Sequence, residues 1–382
     1  MTSVPKVVII PHTAWHVPQR FHHFTPRLAQ SFDVHAMNWD ATFSTPADLM
    51  SWRYLLNALP RRWEHAAATV HHVPRVTPAG GSRLLRSVNE ALYQATLRRV
   101  LDRERPDVVV GSFVTSPPVG LPKVLDVCDD HVGLWKARGV LPAYASEIAE
   151  REAAWVKASR FVVAVSSVLA DRLRAEHPRA EVVHVPNGVD LQAFRPGREA
   201  ARRALGMDPE RLYVGNIGAL DNVGEARRLL AVARALEVRP NARLLVVGRG
   251  RGAEWLRREA TRLSISNLEL HGFASGERLV KLFQAVDVGT CPYELSIGDD
   301  ARVPMRLLHY SAVGARVVCT VLEEVERMAF ENVTLCDDDD AAFAAAVLRA
   351  LDADPCVPEA VHQYDAVRLA DTYAEILRAA AS

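Results

Sequence analysis

Ala285-Val-Asp-Val-Gly-Thr-Cys-Pro-Tyr-Glu-Leu-Ser-Ile-Gly-Asp-Asp-Ala-Arg-Val-Pro-Met-Arg-Leu-Leu-His-Tyr-Ser-Ala-Val-Gly-Ala-Arg-Val-Val-Cys319 is the stretch around which the chain is organised. Its first six residues read as a short buried strand. Ile297-Gly298 reads as a turn, and Asp299 or Asp300 as the cap of a following helix. Pro304 fits that helix's first turn, Gly314 ends it, and Val317-Val318-Cys319 opens the next strand. Spacings of four and three place Arg302, Arg306 and His309 on one helical stripe, with Val303, Leu307 and Tyr310 on an adjacent apolar one. A helix start with loop amides and two guanidinium groups above it attracts anions. An extended ligand with a diphosphate there would carry its next group to His309, about 4–5 Å along the axis. The alternative from spacing alone is an ordinary solvated face.

The order Pro304-x-Arg306-x-x-His309-Tyr310-x-Ala312-x-Gly314-x-x-Val317-Val318 resembles the donor-site signature of GT-B glycosyltransferases. The likeness is to the retaining family-four group and its bacterial relatives. Two positions depart from the pattern. Arg306 stands where the family has Lys, and His309 where it has the Glu that grips a ribose diol. The family's usual acidic pair is absent, its partner position being Ala301. A second match, Pro186-Asn187-Gly188-Val189-Asp190 with Phe194, resembles the family's interdomain linker. There Gly188 is expected to permit positive φ, and Asn187 and Asp190 to hydrogen-bond local backbone.

The resemblance implies a GT-B α/β fold, with two Rossmann-like doubly wound domains facing a cleft. Residues 1–188 would bind acceptor, residues 189–360 would bind donor, and 361–382 would form a helix crossing back to the first domain. It also implies metal-independent transfer from a nucleotide-diphosphate sugar, with no cofactor and with retention of configuration. The acceptor would be an envelope glycan, a lipid-linked sugar or a small natural product. The donor set is Gly218, Arg249, Phe273, Ile297, Gly298, Asp299, Arg302, Arg306 and His309. His16, Asp129 and Asp130 would orient the acceptor. After the strand Leu212–Gly218 the family places an Arg and a Lys; here Ala219-Leu-Asp-Asn-Val-Gly-Glu225 carries no cation before Arg227. Those departures keep open a catalytically silent sugar-nucleotide-binding or partner subunit. A nucleotide-sugar epimerase of the same architecture is a further alternative.

The rest of the chain is consistent with that outline. Its 382 residues allow two or three domains, and 49% hydrophobic content is ordinary for large cores. Lys+Arg and Asp+Glu both number 46, so no global field points to nucleic acid. No apolar run reaches membrane-spanning length and no secretory leader opens the chain, so a cytoplasmic protein is expected. Basic, aromatic segments at Ser51–Trp63 and Arg83–Arg105 are compatible with peripheral contact to anionic membrane, or with solvated amphipathic helices. Lys6–Ile10 reads as a central strand, and Arg105–Gly111 and Val124–His131 as further strands, the last ending in Asp129, Asp130 and His131 at the sheet's carboxyl edge. Five scattered cysteines show neither metal nor disulfide spacing. Gly248-Arg-Gly-Arg-Gly252 invites a phosphate reading, though a lone G-x-G is weak. Asp337–Asp340 reads as a helix cap rather than a calcium loop.

Overall fold

The computed structural model describes residues 4–12, 15, 19–39, 59–74, 83–113, 115–137, 142–295 and 299–382. The chain divides into two compact units. One comprises 1–186 with 367–382, the other 187–366. The sheet of the first unit is built from β1 (Lys6–Ile9), β2 (Asp33–Asn38), β3 (Arg62–His65), β4 (Ala68–His72), β5 (Val108–Gly111), β6 (Lys123–Val127), β7 (Phe161–Ala164) and β8 (Val182–His184). Their order is β3-β4-β2-β1-β5-β6-β7-β8, and every pair is parallel except β3–β4. Arg62 and Trp63, the end of the segment read as amphipathic, open the edge strand β3, where a charged, aromatic pattern suits an exposed sheet edge. Residues 51–58 of that segment lie outside the described residues.

The second unit carries β9 (Leu212–Ile217), β10 (Ala242–Val247), β11 (Leu268–His271), β12 (Val288–Cys291), β13 (Arg316–Thr320) and β14 (Val333–Cys336). Their order is β11-β10-β9-β12-β13-β14, all parallel. In both sheets, therefore, the strand order reverses beside the unit's first strand. Near-continuous apolar runs such as Val7–Ile10 and Leu244–Val247 form these strands because helices cover both faces.

The terminal helix Ala366–Ala381 belongs to the first unit's core, where Leu369, Ala370, Tyr373 and Leu377 pack among Val7, Ile9 and Phe24. A buried polar knot fastens it. The Tyr373 hydroxyl donates to Asp126 at 2.9 Å, Arg20 lies 3.5 Å from the same carboxylate, and Arg20 also donates to the Val185 carbonyl at 2.7 Å. Burial raises the Asp126 pKa, opposed by Arg20 and the tyrosine hydrogen bond.

The linker motif does two jobs. Asp190 accepts from the backbone of Gln192 and Ala193, forming the expected Asx turn. Gly188 does not have the positive φ expected of it. It is needed because a Cβ there would lie 2.8 Å from the Ala366 Cα. Val189 pairs with Asp365, so the two crossings between the units run side by side.

Within the first sheet, His35 of β2 and His71 of β4 bring their ring nitrogens within 2.9 Å of each other near Glu104. Burial, then His35 and Arg103, lower the His71 pKa to about 4. The folded state therefore keeps this ring neutral while the unfolded chain titrates near 6.5. The stability of wild type relative to His71→Gln, measured by chemical denaturation, is expected to be flat above that value. It should fall as pH drops from 6.5 toward 4.

Candidate functional site

In a doubly wound sheet, ligands bind past the carboxyl ends of the strands where the order reverses. In the second unit that point lies between β9 and β12. Tyr310 fixes it: its hydroxyl accepts from Ile217 N at 2.9 Å and donates to the Gly215 carbonyl at 2.8 Å. Its ring fills the space above Gly289, where a Cβ would come within 2.2 Å. Gly289 thus allows one tyrosine to clamp the helix Met305–Ala312 onto both strands.

That helix starts later than expected. Pro304 is its N-cap, with ψ of 115°, and no side chain caps it. The pre-proline residue Val303 is biased away from α geometry, which delays the first turn. Arg302 consequently lies in the preceding turn rather than on the helical stripe. Asp299 does not cap the helix; its carboxylate pairs with Arg302 at 2.9 Å. Neither arginine extends into bulk water. The guanidinium of Arg302 sits 4.9 Å, and that of Arg306 5.7 Å, from the centre of the Tyr293 ring. Arg306 also donates to Asn216 Oδ1 at 2.9 Å and to the Ala219 carbonyl at 3.1 Å.

Tyr293 is itself held from beneath. Arg228, 2% exposed, donates to the Tyr293 carbonyl at 2.6 Å and to Thr320 Oγ1 at 3.3 Å. It also pairs with Asp338 and, at 3.3 Å, with Asp340. The aspartate run therefore does more than cap. Asp339 caps the helix Asp340–Ala350 through Ala342 N, while Asp338 and Asp340 hold the arginine that anchors the site loop. Sequence reasoning missed Arg228, Asn216 and the structural role of Tyr293. Four adjacent carboxylates were the available signal, because they require a cation nearby.

The site also carries carboxylates of its own. Burial raises the Glu225 pKa, against the pull of Arg306 and Arg302. The Glu294 carboxylate lies against Gly224, where a Cβ would be 2.3 Å from Oε2. Gly224 is in the first turn of the helix Val223–Ala235, so Glu294 occupies the positive helix end that a phosphate would seek.

The remaining expected donor residues fall around this point unevenly. Gly218 has φ of +134°, and a Cβ there would lie 3.2 Å from Arg306 Nη2. Phe273, just past β11, is 60% exposed. Arg249 is exposed, and the glycines flanking it have a packing explanation. A Cβ on Gly248 would fall 2.0 Å from the Gly218 carbonyl oxygen, and one on Gly250 2.3 Å from that of Leu220. This loop is glycine-rich so that two backbones can touch. His309 is not on an open stripe: it is 8% exposed, stacked on Phe194 at 4.1 Å and edge-on to Phe283 at 4.9 Å. The linker thus supports the helix twice, through Phe194 and through Asn187, which donates to the Val303 carbonyl at 2.9 Å. Ile297 and Gly298 lie outside the described residues.

So does His16 in the first unit. There the reversal lies between β1 and β5. Asp130 is engaged structurally: it accepts from Gly133 N at 2.9 Å and pairs with Arg172 at 2.6 Å. Asp129 lies beside His12 and Cys128, with ligand atoms within 4.8 Å of one another. Among the described residues, no helix is long and apolar enough to cross a membrane.

Two parallel Rossmann-like sheets, the second with an arginine pair at its switch point, define a GT-B architecture. Solved structures agree over almost the whole chain. A sucrose-phosphate synthase from Thermosynechococcus elongatus superposes with TM-score 0.76 at 15% identity, covering 98% of each chain. WaaG, a glycosyltransferase involved in lipopolysaccharide biosynthesis, does so with TM-score 0.67 at 16% identity, covering 97% of this chain and 99% of that one. Residues 209–353 match the family model "Glycosyl transferases group 1", and residues 53–193 match "Glycosyltransferase Family 4". The chain belongs to the GT-B glycosyltransferases of family-four type. It is 36% identical over 115 residues to a D-inositol 3-phosphate glycosyltransferase of Segniliparus rotundus, covering 28% of this chain and 26% of that protein. A GDP-mannose-dependent phosphatidylinositol monomannoside mannosyltransferase of Corynebacterium glutamicum is 31% identical over 121 residues, covering 30% of this chain and 31% of its own. These alignments therefore span only about a quarter to a third of those relatives.

Because Glu294 competes with an incoming anion for one helix end, Glu294→Gln is expected to tighten nucleoside-diphosphate binding. The helix-end contribution of about 0.3–1 kcal/mol corresponds to roughly two- to fivefold in Kd by calorimetry.

Proposed function

We propose that the protein transfers a sugar from a nucleotide-diphosphate sugar to an acceptor hydroxyl, with its donor site at the β9–β12 switch point. The observation that carries this reading is the pair of guanidiniums held over the Tyr293 ring at that point. As the glycosidic bond breaks, charge accumulates on the departing diphosphate. Arg302 and Arg306 are placed to exchange their present partners, Asp299, Asn216 and the Ala219 carbonyl, for phosphate oxygens. Phe273 offers an exposed aromatic face to a base, and Gly218 keeps the approach above β9 narrow.

The donor and acceptor classes follow from the relatives' names. Those relatives act on inositol phosphate or on a phosphatidylinositol mannoside with GDP-mannose, and a solved structure of similar fold, Anabaena HepE, holds UDP and glucose. On that basis we infer a UDP- or GDP-sugar donor and a hydroxylated acceptor, either a phosphorylated polyol or its lipid-linked form. Retention of configuration and metal-independent transfer come with the family resemblance and, with the cytoplasmic location expected from the sequence, belong to the same proposal.

Three observations favour a second reading, a sugar-nucleotide-binding subunit without turnover. Both arginines already have protein partners, three carboxylates surround them, and the position of the family glutamate is a buried histidine. Donor binding without transfer or donor hydrolysis, across an acceptor screen, would decide for it.

Calorimetry with UDP-, GDP- and dTDP-sugars tests the donor site. At least one should bind, and Arg306→Ala should weaken it by about 1.5–3 kcal/mol, or roughly 10- to 150-fold. No binding by any of them, or an unchanged affinity in the variant, would remove the site.

A further inference from the structure

We propose that His12, Cys128 and Asp129 form a zinc-class divalent-metal site at the carboxyl edge of the first unit's sheet. The three residues come from two places, His12 from the loop after β1 and the others from the end of β6. Those strands are separated in the sheet only by β5. Their ligand atoms lie within 4.8 Å of one another. Around a tetrahedral zinc the corresponding edges are about 3.3–3.8 Å, so the three ligand atoms must draw about 1 Å closer to close the set.

The chemistry of the donors fits zinc better than a hard cation. A thiolate, an imidazole and a carboxylate match its mixed N, S and O preference, whereas magnesium or calcium would require oxygen throughout. One thiolate and one carboxylate also neutralise a divalent ion, which lowers the cost of burying it. His131 stands next to the set: its Nε2 is 3.8 Å from Cys128 Sγ, and its ring packs on Phe113 at 4.1 Å and lies 5.6 Å from the His12 ring.

Sequence spacing concealed this set because 116 positions separate its first two members, as 128 − 12. The inference does not depend on the donor reading, since none of these residues belongs to the second unit, and it gives Asp129 a ligand's role in place of the acceptor contact expected of it.

The test uses the full chain, stripped with chelator and titrated with Zn2+ alone and Co2+ alone. One equivalent should bind, and Co2+ should produce a thiolate-to-metal charge-transfer band. That band should vanish in Cys128→Ser, weaken in His12→Gln and persist in Cys356→Ser, which changes the other partly exposed thiol. Far-UV circular dichroism of each metal-free variant separates lost ligation from lost folding. Asp129→Asn, which keeps the shape, should lower affinity at least tenfold. Absence of stoichiometric binding by wild type would overturn the site, as would a band that survives Cys128→Ser.

Discussion

The second unit depends on keeping two guanidinium groups against one tyrosine ring at the end of a parallel sheet. Like charges at this separation repel, and three features make the arrangement tolerable. The Tyr293 ring attracts both cations, Asp299 and Asn216 take their hydrogen bonds, and Glu225 adds opposing charge. Arg228, itself fixed by two aspartates, then fastens the loop that carries the ring. The site is thus a stack of alternating charges from the interior outward. Removing one member leaves the next uncompensated, so the layers should respond together rather than additively.

This arrangement also shows where the chain differs from the family it belongs to. Where the resemblance leads one to expect cations after β9, the loop has Ala219 and Val223, and carboxylates stand nearby. A diphosphate entering the site would displace protein anions before it gained the arginines. Binding would then be an exchange of partners, with a smaller net gain than into an open cationic pocket. Such exchange favours a ligand that brings further contacts, such as a base on Phe273.

Much of the fold was legible because parallel strands buried on two faces leave continuous apolar runs, as in Val7–Ile10 and Leu244–Val247. The linker was legible because Asp190 must make its turn. What stayed hidden depended on contacts between distant segments. Spacing could not show that Pro304 would delay the helix and take Arg302 off it. Nor could it show that Phe194, more than a hundred residues earlier, would bury His309. Glycine was ambiguous in the same way: Gly188 and Gly248 looked like turn and phosphate residues, yet both are sites of close backbone approach.

The central claim is that the β9–β12 switch point receives a diphosphate. A crystal structure of the full chain with a bound nucleoside diphosphate tests it most directly. The account predicts phosphate density between Gly218 and Tyr293, with Arg306 moved from the Ala219 carbonyl onto a phosphate oxygen. A nucleotide bound elsewhere, with Arg306 still on Asn216 and Ala219, would contradict it.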